Sequence, residues 1–210
     1  MTNSSEVKAQ IADYLNKKVD WQKCFSIVDT LGTTMNGHKD RFDKSDIIEM
    51  SLDAYSDGAV KYVNMIGVDH IITDLSITME MKFSSVLFYK EFVTQRANKN
   101  QPKIKELRAT NKPITVKLVN SMGTNTHTSL PSSYAEVLLV VDNYSAHVIM
   151  VSELIPYLKF GGDGIEAHKV PYELFYKVVG PEDVSGRKSL ADFNYKEEKV
   201  KFQKDFLRKF

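Results

Sequence analysis

The sequence predicts an α/β (α+β) fold in which helices flank a central mixed sheet of four to five strands. Three observations predict it. Apolar residues recur at helical spacing in the first quarter of the chain, from Val7 to Tyr55. From Ser76 to Phe83 the period changes to two. Tyr134 to Asp142 is then an almost unbroken apolar run, the pattern of a strand buried on both faces.

The chain has 210 residues, enough for one domain with a full core. It divides into N-terminal helices over 3–57, a core over 59–158, and a C-terminal strand and basic helix over 170–210. Hydrophobic content of 42% and charged content of 26% are those of an ordinary globular protein. The formal net charge of +1 gives no global attraction to nucleic acid or membrane. No apolar run approaches the roughly 20 residues that a bilayer span needs. Met1 to Glu6 lacks the charged and apolar regions of a signal peptide. The single cysteine, Cys24, excludes an internal disulfide and fits a reducing compartment. A soluble, cytoplasmic protein is expected.

Residues 3–31 read as one or two helices. Ser4 or Ser5 caps the first, which carries Val7, Ile11 and Leu15; Asp20 caps the second, which carries Trp21, Cys24, Phe25 and Val28. Gly32 to Asp40 is a loop. A further helix starts at Asp43 or Ser45 and runs to about Ser56, with Ile48, Leu52 and Tyr55 as its buried stripe. Ala59 to Ile66 is a strand. Ser84 to Val93 reads as helix or irregular structure, and Ala97 to Thr110 as a polar, basic surface segment. Pro113 to Asn120 alternates as a strand, Tyr134 to Asp142 is the buried one, and Ala146 to Val151 returns beside it. Ser152 caps a short helix over 153–158. Gly161 to Gly164 is a flexible turn without the Lys-Ser/Thr of a phosphate-binding loop. Pro171 to Gly180 is a last strand, Pro181 to Asp192 a linker, and Asn194 to Phe210 a basic helix.

The chemistry concentrates in Gly67 to Phe83. Ile77, Met79, Met81 and Phe83 share one face of a strand; Ser76, Thr78, Glu80 and Lys82 share the other. Asp74 and Ser76 suit a reversal before it, which carries Asp69 back beside Glu80. Two carboxylates and one ammonium then converge. Hard oxygen anions suit Mg2+, and Lys82 beside them suits charge building on a phosphorus. Serine-hydrolase and zinc chemistries lack their motifs, because no Gly-x-Ser-x-Gly occurs and the five histidines have no ligand spacing.

Asp69 followed by Glu80-Met81-Lys82 on an alternating strand resembles the PD-(D/E)XK nuclease superfamily, with Val68 where the name-giving motif has Pro. The resemblance implies that Asp69 and Glu80 bind Mg2+ and that Lys82 assists phosphodiester hydrolysis. It also implies an acid from the preceding helix at the metal, Glu49 with Asp53 behind it. From Asp43 to Leu158 the order of elements is similar to type II restriction endonucleases. That implies a restriction-endonuclease-like core, a homodimer and double-stranded DNA as partner.

Two further stretches suit DNA. Arg96 to Lys117 holds seven basic residues against one acid, a surface for phosphates in which Lys103, Lys105, Lys112 and Lys117 stand out. Ser121 to Pro131 has no charge but nearly every other donor. Asn125, Thr126 and His127, with Asn120 just before, suit base edges. A repair or junction nuclease of the same superfamily and a non-catalytic DNA-binding protein remain as alternatives.

Overall fold

The structure is a computed structural model that describes residues 3–34, 44–84, 86–95, 104–120, 129–161 and 164–184. Three helices come first: α1 (Ser4–Lys18), α2 (Trp21–Thr34) and α3 (Lys44–Ala54). An antiparallel meander follows: β1 (Val60–Met65), β2 (Val68–Ile72) and β3 (Ile77–Phe83). Next come β4 (Tyr89–Gln95), β5 (Ile104–Ala109), β6 (Ile114–Asn120), β7 (Val137–Val141) and β8 (Ala146–Met150). Then α4 (Val151–Leu154), β9 (Leu158–Gly161), β10 (Gly164–Val170), β11 (Tyr176–Val179) and α5 (Pro181–Val184) complete the described chain.

Six strands make the main sheet, in the order β1-β2-β3-β7-β8-β11. It is mixed: β3 runs parallel to β7, and every other neighbouring pair is antiparallel. β6, β10 and β9 form a second sheet, and β4 with β5 a two-stranded ribbon.

Alternation along each strand sorts side chains to two cores. Met79, Met81, Val137, Leu139 and Val141 face α1, α2 and α3, against Ile11, Leu15, Phe25, Ile48 and Leu52. Leu138, Val140 and Ile149 face the other way, against Ile114, Val116 and Leu118 of β6 and Ala167 and Val170 of β10. All five residues of β7 are buried because both faces of that strand are covered. Full burial of each of these side chains stabilises the fold by roughly 1.5–3 kcal/mol.

The mixed sheet and its flanking helices agree with the sequence. The strand count does not, since six replace the expected four to five. Ser84 to Val93 is neither helix nor irregular throughout, because β4 begins at Tyr89 and pairs with β5, itself inside the stretch read as polar surface. A ribbon with both faces largely in water leaves no hydrophobic signature. β9 and β10 lie on either side of Gly161 to Gly164 and were also missed. The last strand starts at Tyr176, since Tyr172–Leu174 is a 3-10 turn. Pro181–Val184 is helical within the expected linker.

Two caps moved. Asn3 caps α1 by accepting the N–H of Ser5 at 3.2 Å. Met150 precedes α4 in the place expected of Ser152, with Glu153 accepting its N–H at 3.2 Å. Asp20 does cap α2, accepting the N–H of Lys23 at 3.1 Å. Cys24 is buried, and burial pushes its thiol up, away from the thiolate. The loop over 35–43, the polar loop over 121–128 and the basic tail over 194–210 lie outside the described residues.

Candidate active site

β2 and β3 pair through His70 with Met79, Ile71 with Thr78 and Ile72 with Ile77. The reversal expected at Asp74 and Ser76 is there: Thr73–Leu75 forms a 3-10 turn, and Ser76 takes a left-handed φ of 52°. Continued by one step, the same register sets Asp69 opposite Glu80. The ladder is replaced at this point by a side chain. The Asp69 carboxylate accepts the N–H of Met81 at 2.8 Å.

β3 is an interior strand, and Glu80 is only 5% exposed. Its register partner on β7 is Leu138, and that of Lys82 is Val140, so both charged side chains lie over the second core. Lys82 Nζ donates to Glu80 Oε1 at 2.5 Å. The other oxygen, Oε2, is buried with no hydrogen-bond partner. A carboxylate oxygen in that state costs free energy unless a proton or a cation reaches it. Burial accordingly raises the pKa of Glu80, the Lys82 ammonium opposes the rise, and the Asp69 charge adds to it.

Glu49 comes to the group from α3. Burial pushes its carboxyl up to about 8, helped by the charges of Asp69 and Asp46 and opposed by Lys82. Two contacts fix the helix that carries it. His70 Nε2 lies 2.8 Å from the Glu49 carbonyl, which can only accept, so that nitrogen carries a proton. Asp53 accepts the N–H of Tyr62 on β1 at 2.9 Å. Asp53 thus helps to hold the helix to the sheet.

Tyr134 closes one side. Its hydroxyl donates to the Leu118 carbonyl of β6 at 3.2 Å. Burial first, then the charges of Glu80 and Asp69, raise its pKa and keep the phenol neutral. Gly67 packs on its ring: a Cβ there would sit 2.8 Å from Tyr134 Cδ2, and Gly67 takes a left-handed φ of 76°. Gly67 also accepts the N–H of Ala135 at 2.9 Å.

The structure therefore gathers Asp69, Glu80, Lys82 and Glu49. Asn120 ends the strand that Tyr134 grips, two residues past Leu118, and is exposed. Lys117 is exposed on the same strand, and Lys112 precedes it at the far end. Lys105 lies on β5. Lys103, Asn125, Thr126 and His127 fall outside the described residues. Sequence reasoning missed Tyr134, His70 and Gly67. The alternation that put Asp69 on one face of β2 puts His70 on the other, so His70 was within reach; Tyr134 carried no periodic signal. Asp142, the acid that ends the apolar strand, serves its turn: it accepts the N–H groups of Phe88, Tyr89 and Tyr144 at 2.8, 3.1 and 2.9 Å.

Among the described residues no group of three or more His, Cys, Asp or Glu is placed so that it could hold a metal ion. The donors nevertheless fit Mg2+: they are hard oxygens that hold one another's pKa up, and one buried oxygen has no partner. No helix among the described residues is long and apolar enough to cross a membrane. Compared with known proteins, the chain is matched by no family model, no curated protein and no solved structure.

Proposed function

We propose that this chain is a Mg2+-dependent, sequence-specific double-stranded DNA endonuclease of the type II restriction class, with a restriction-endonuclease-like core and acting as a homodimer. One observation carries the reading. Asp69 and Glu80 meet across β2 and β3 with Lys82 on the same face, and Glu80 Oε2 is buried without a partner.

Asp69 and Glu80, with Glu49 beside them, would hold the metal. The chemistry that Mg2+ would supply there is a water of lowered pKa and neutralised charge on the leaving oxygen. Lys82 orients the Glu80 carboxylate and offers a cation to charge that builds on the phosphorus. Its three N–H donors allow both tasks. Tyr134 excludes water from one side and keeps the carboxylates in a medium where their charges count for more. Lys103, Lys105, Lys112 and Lys117 are assigned to phosphates, and Asn120, Asn125, Thr126 and His127 to base edges.

The short Lys82 to Glu80 pair also supports a second reading, a DNA-binding protein in which that pair only steadies a strand. Incubation with long duplex DNA and Mg2+ separates the two. Discrete fragments establish a site-specific nuclease, and a smear a non-specific or repair enzyme. Intact DNA that is nevertheless bound leaves the binding protein.

A further inference from the structure

We propose that the β1–β2 hairpin tip, Met65 and Ile66, is an aliphatic wedge that enters the base stack of duplex DNA beside the scissile phosphate. The inference rests on the nuclease reading above and deepens it.

Ile66 is 79% exposed and Met65 53%, and among the described residues no large apolar side chain is more exposed than Ile66. Turn tips normally carry Gly, Pro, Asn, Asp or Ser. Here the tip is Met65-Ile66-Gly67-Val68, closed by the pairing of Met65 with Val68. Gly67 takes the positive φ that a type II turn needs at its third position. That leaves Ile66 at the second position, side chain outward. The register between β1 and β2 shifts between Tyr62 and Met65, a local irregularity of the kind that re-aims side chains near functional sites.

The tip is held firmly. Gly67 packs on the Tyr134 ring and accepts the N–H of Ala135, and Tyr134 in turn borders Glu80 and Asp69. Ile66 precedes Asp69 by three residues, at most about 10 Å along a strand. Successive bases are stacked about 3.4 Å apart, so a phosphate at Asp69 places the tip within roughly three base steps of it. Ile, Leu, Met and Phe are among the side chains that proteins push between base steps, and the opened step kinks the duplex toward its major groove. Rigid placement beside the carboxylates is what such a wedge requires. A polar loop tip would serve solubility better.

The test uses the full chain with Ile66→Ser, a second with Met65→Ser and Ile66→Ser, and long linear plasmid DNA with Mg2+. Both side chains are more than half exposed, so the unfolding midpoints should stay close to the parent's. The parent should raise the permanganate reactivity of thymines beside its cut positions, and both variants should lose that signal. Cleavage of intact duplex should fall at least tenfold. The loss should shrink on duplexes with mismatches placed beside the mapped cut, where the stack is already open. Equal cleavage of intact duplex by Ile66→Ser and the parent, or unreactive thymines under the bound parent, overturns the wedge and leaves the nuclease reading intact. A parent that neither binds nor cuts the DNA overturns both. Variants that sediment as monomers where the parent is a dimer assign the tip to a second copy, which also overturns the wedge.

Discussion

The Asp69 carboxylate takes the place of a ladder acceptor for Met81, at 2.8 Å, on the strand pair that also carries Glu80. One side chain thereby holds the hairpin and presents charge. The two roles separate by mutation. Asp69→Asn keeps an oxygen that accepts the N–H but loses the charge; Asp69→Ala loses both. Unfolding in urea should show Asp69→Asn close to the parent. Asp69→Ala should be destabilised by about 1–3 kcal/mol, the cost of an unsatisfied buried N–H. Both should abolish cleavage, as should Glu80→Ala. A cutting Asp69→Asn at the parent's rate would remove Asp69 from the metal site.

Lys82→Ala should slow the chemical step by orders of magnitude and leave the Mg2+ concentration needed for half activity nearly unchanged. The ammonium donates to Glu80 Oε1, and in the proposed role it serves the charge on the phosphorus and not the metal. Single-turnover rates at saturating DNA check this. A defect confined to DNA affinity would make Lys82 a phosphate contact.

Gly67→Ala should destabilise the fold by about 1–3 kcal/mol, because the turn needs φ 76° and the new Cβ would meet the Tyr134 ring at 2.8 Å. Pairing it with Tyr134→Leu should recover part of the loss, since the clash goes and the φ strain stays. Equilibrium unfolding of the two single variants and the double variant measures the coupling.

How much of this was legible follows from where the signal lies. The β2–β3 hairpin was, because Asp74 and Ser76 mark a reversal and Glu80, Met81 and Lys82 alternate. So was β7, because a strand covered on both faces is apolar at each position. The β4–β5 ribbon was not. Its Phe92 is 41% exposed and its charged residues fall on both strands, so neither period stands out. Tyr134 was invisible as a site residue for a different reason. Its place beside Glu80 depends on β7 docking parallel to β3, a long-range pairing that no local pattern encodes.

Glu49 gives stability an unusual pH dependence when divalent metal is chelated. Its folded-state pKa of about 8 lies above the ordinary 4.5. The folded chain therefore holds a proton that the unfolded chain has released between those values. The contribution is complete below pH 4.5 and is lost as the pH rises toward 8, with a slope below about 1.4 kcal/mol per pH unit because water screens a partly buried group. Glu49→Gln should flatten the profile over that window. Urea unfolding between pH 5 and pH 8 in chelator tests it, and an unchanged slope would mean that Glu49 titrates as an exposed acid.

His147 should act in the opposite sense. It is 2% exposed on β8 and stacks on Phe88, with ring centroids 3.7 Å apart. Burial, helped by the positive charge of Lys177, lowers its pKa from 6.5 to about 3. A group whose folded pKa is depressed binds fewer protons when folded, so stability is complete above pH 6.5 and declines as the pH falls toward 3. The limiting slope is about 1.4 kcal/mol per pH unit. Carboxylates titrate in the same range, so the parent's profile alone does not isolate the histidine. His147→Leu keeps an apolar filler against Phe88 and removes the titration. The difference between the two urea profiles from pH 7 to pH 4 should therefore shrink the parent's advantage steadily as acid is added. A difference that stays constant across that range would show that His147 is protonated in the folded chain as readily as in the unfolded one.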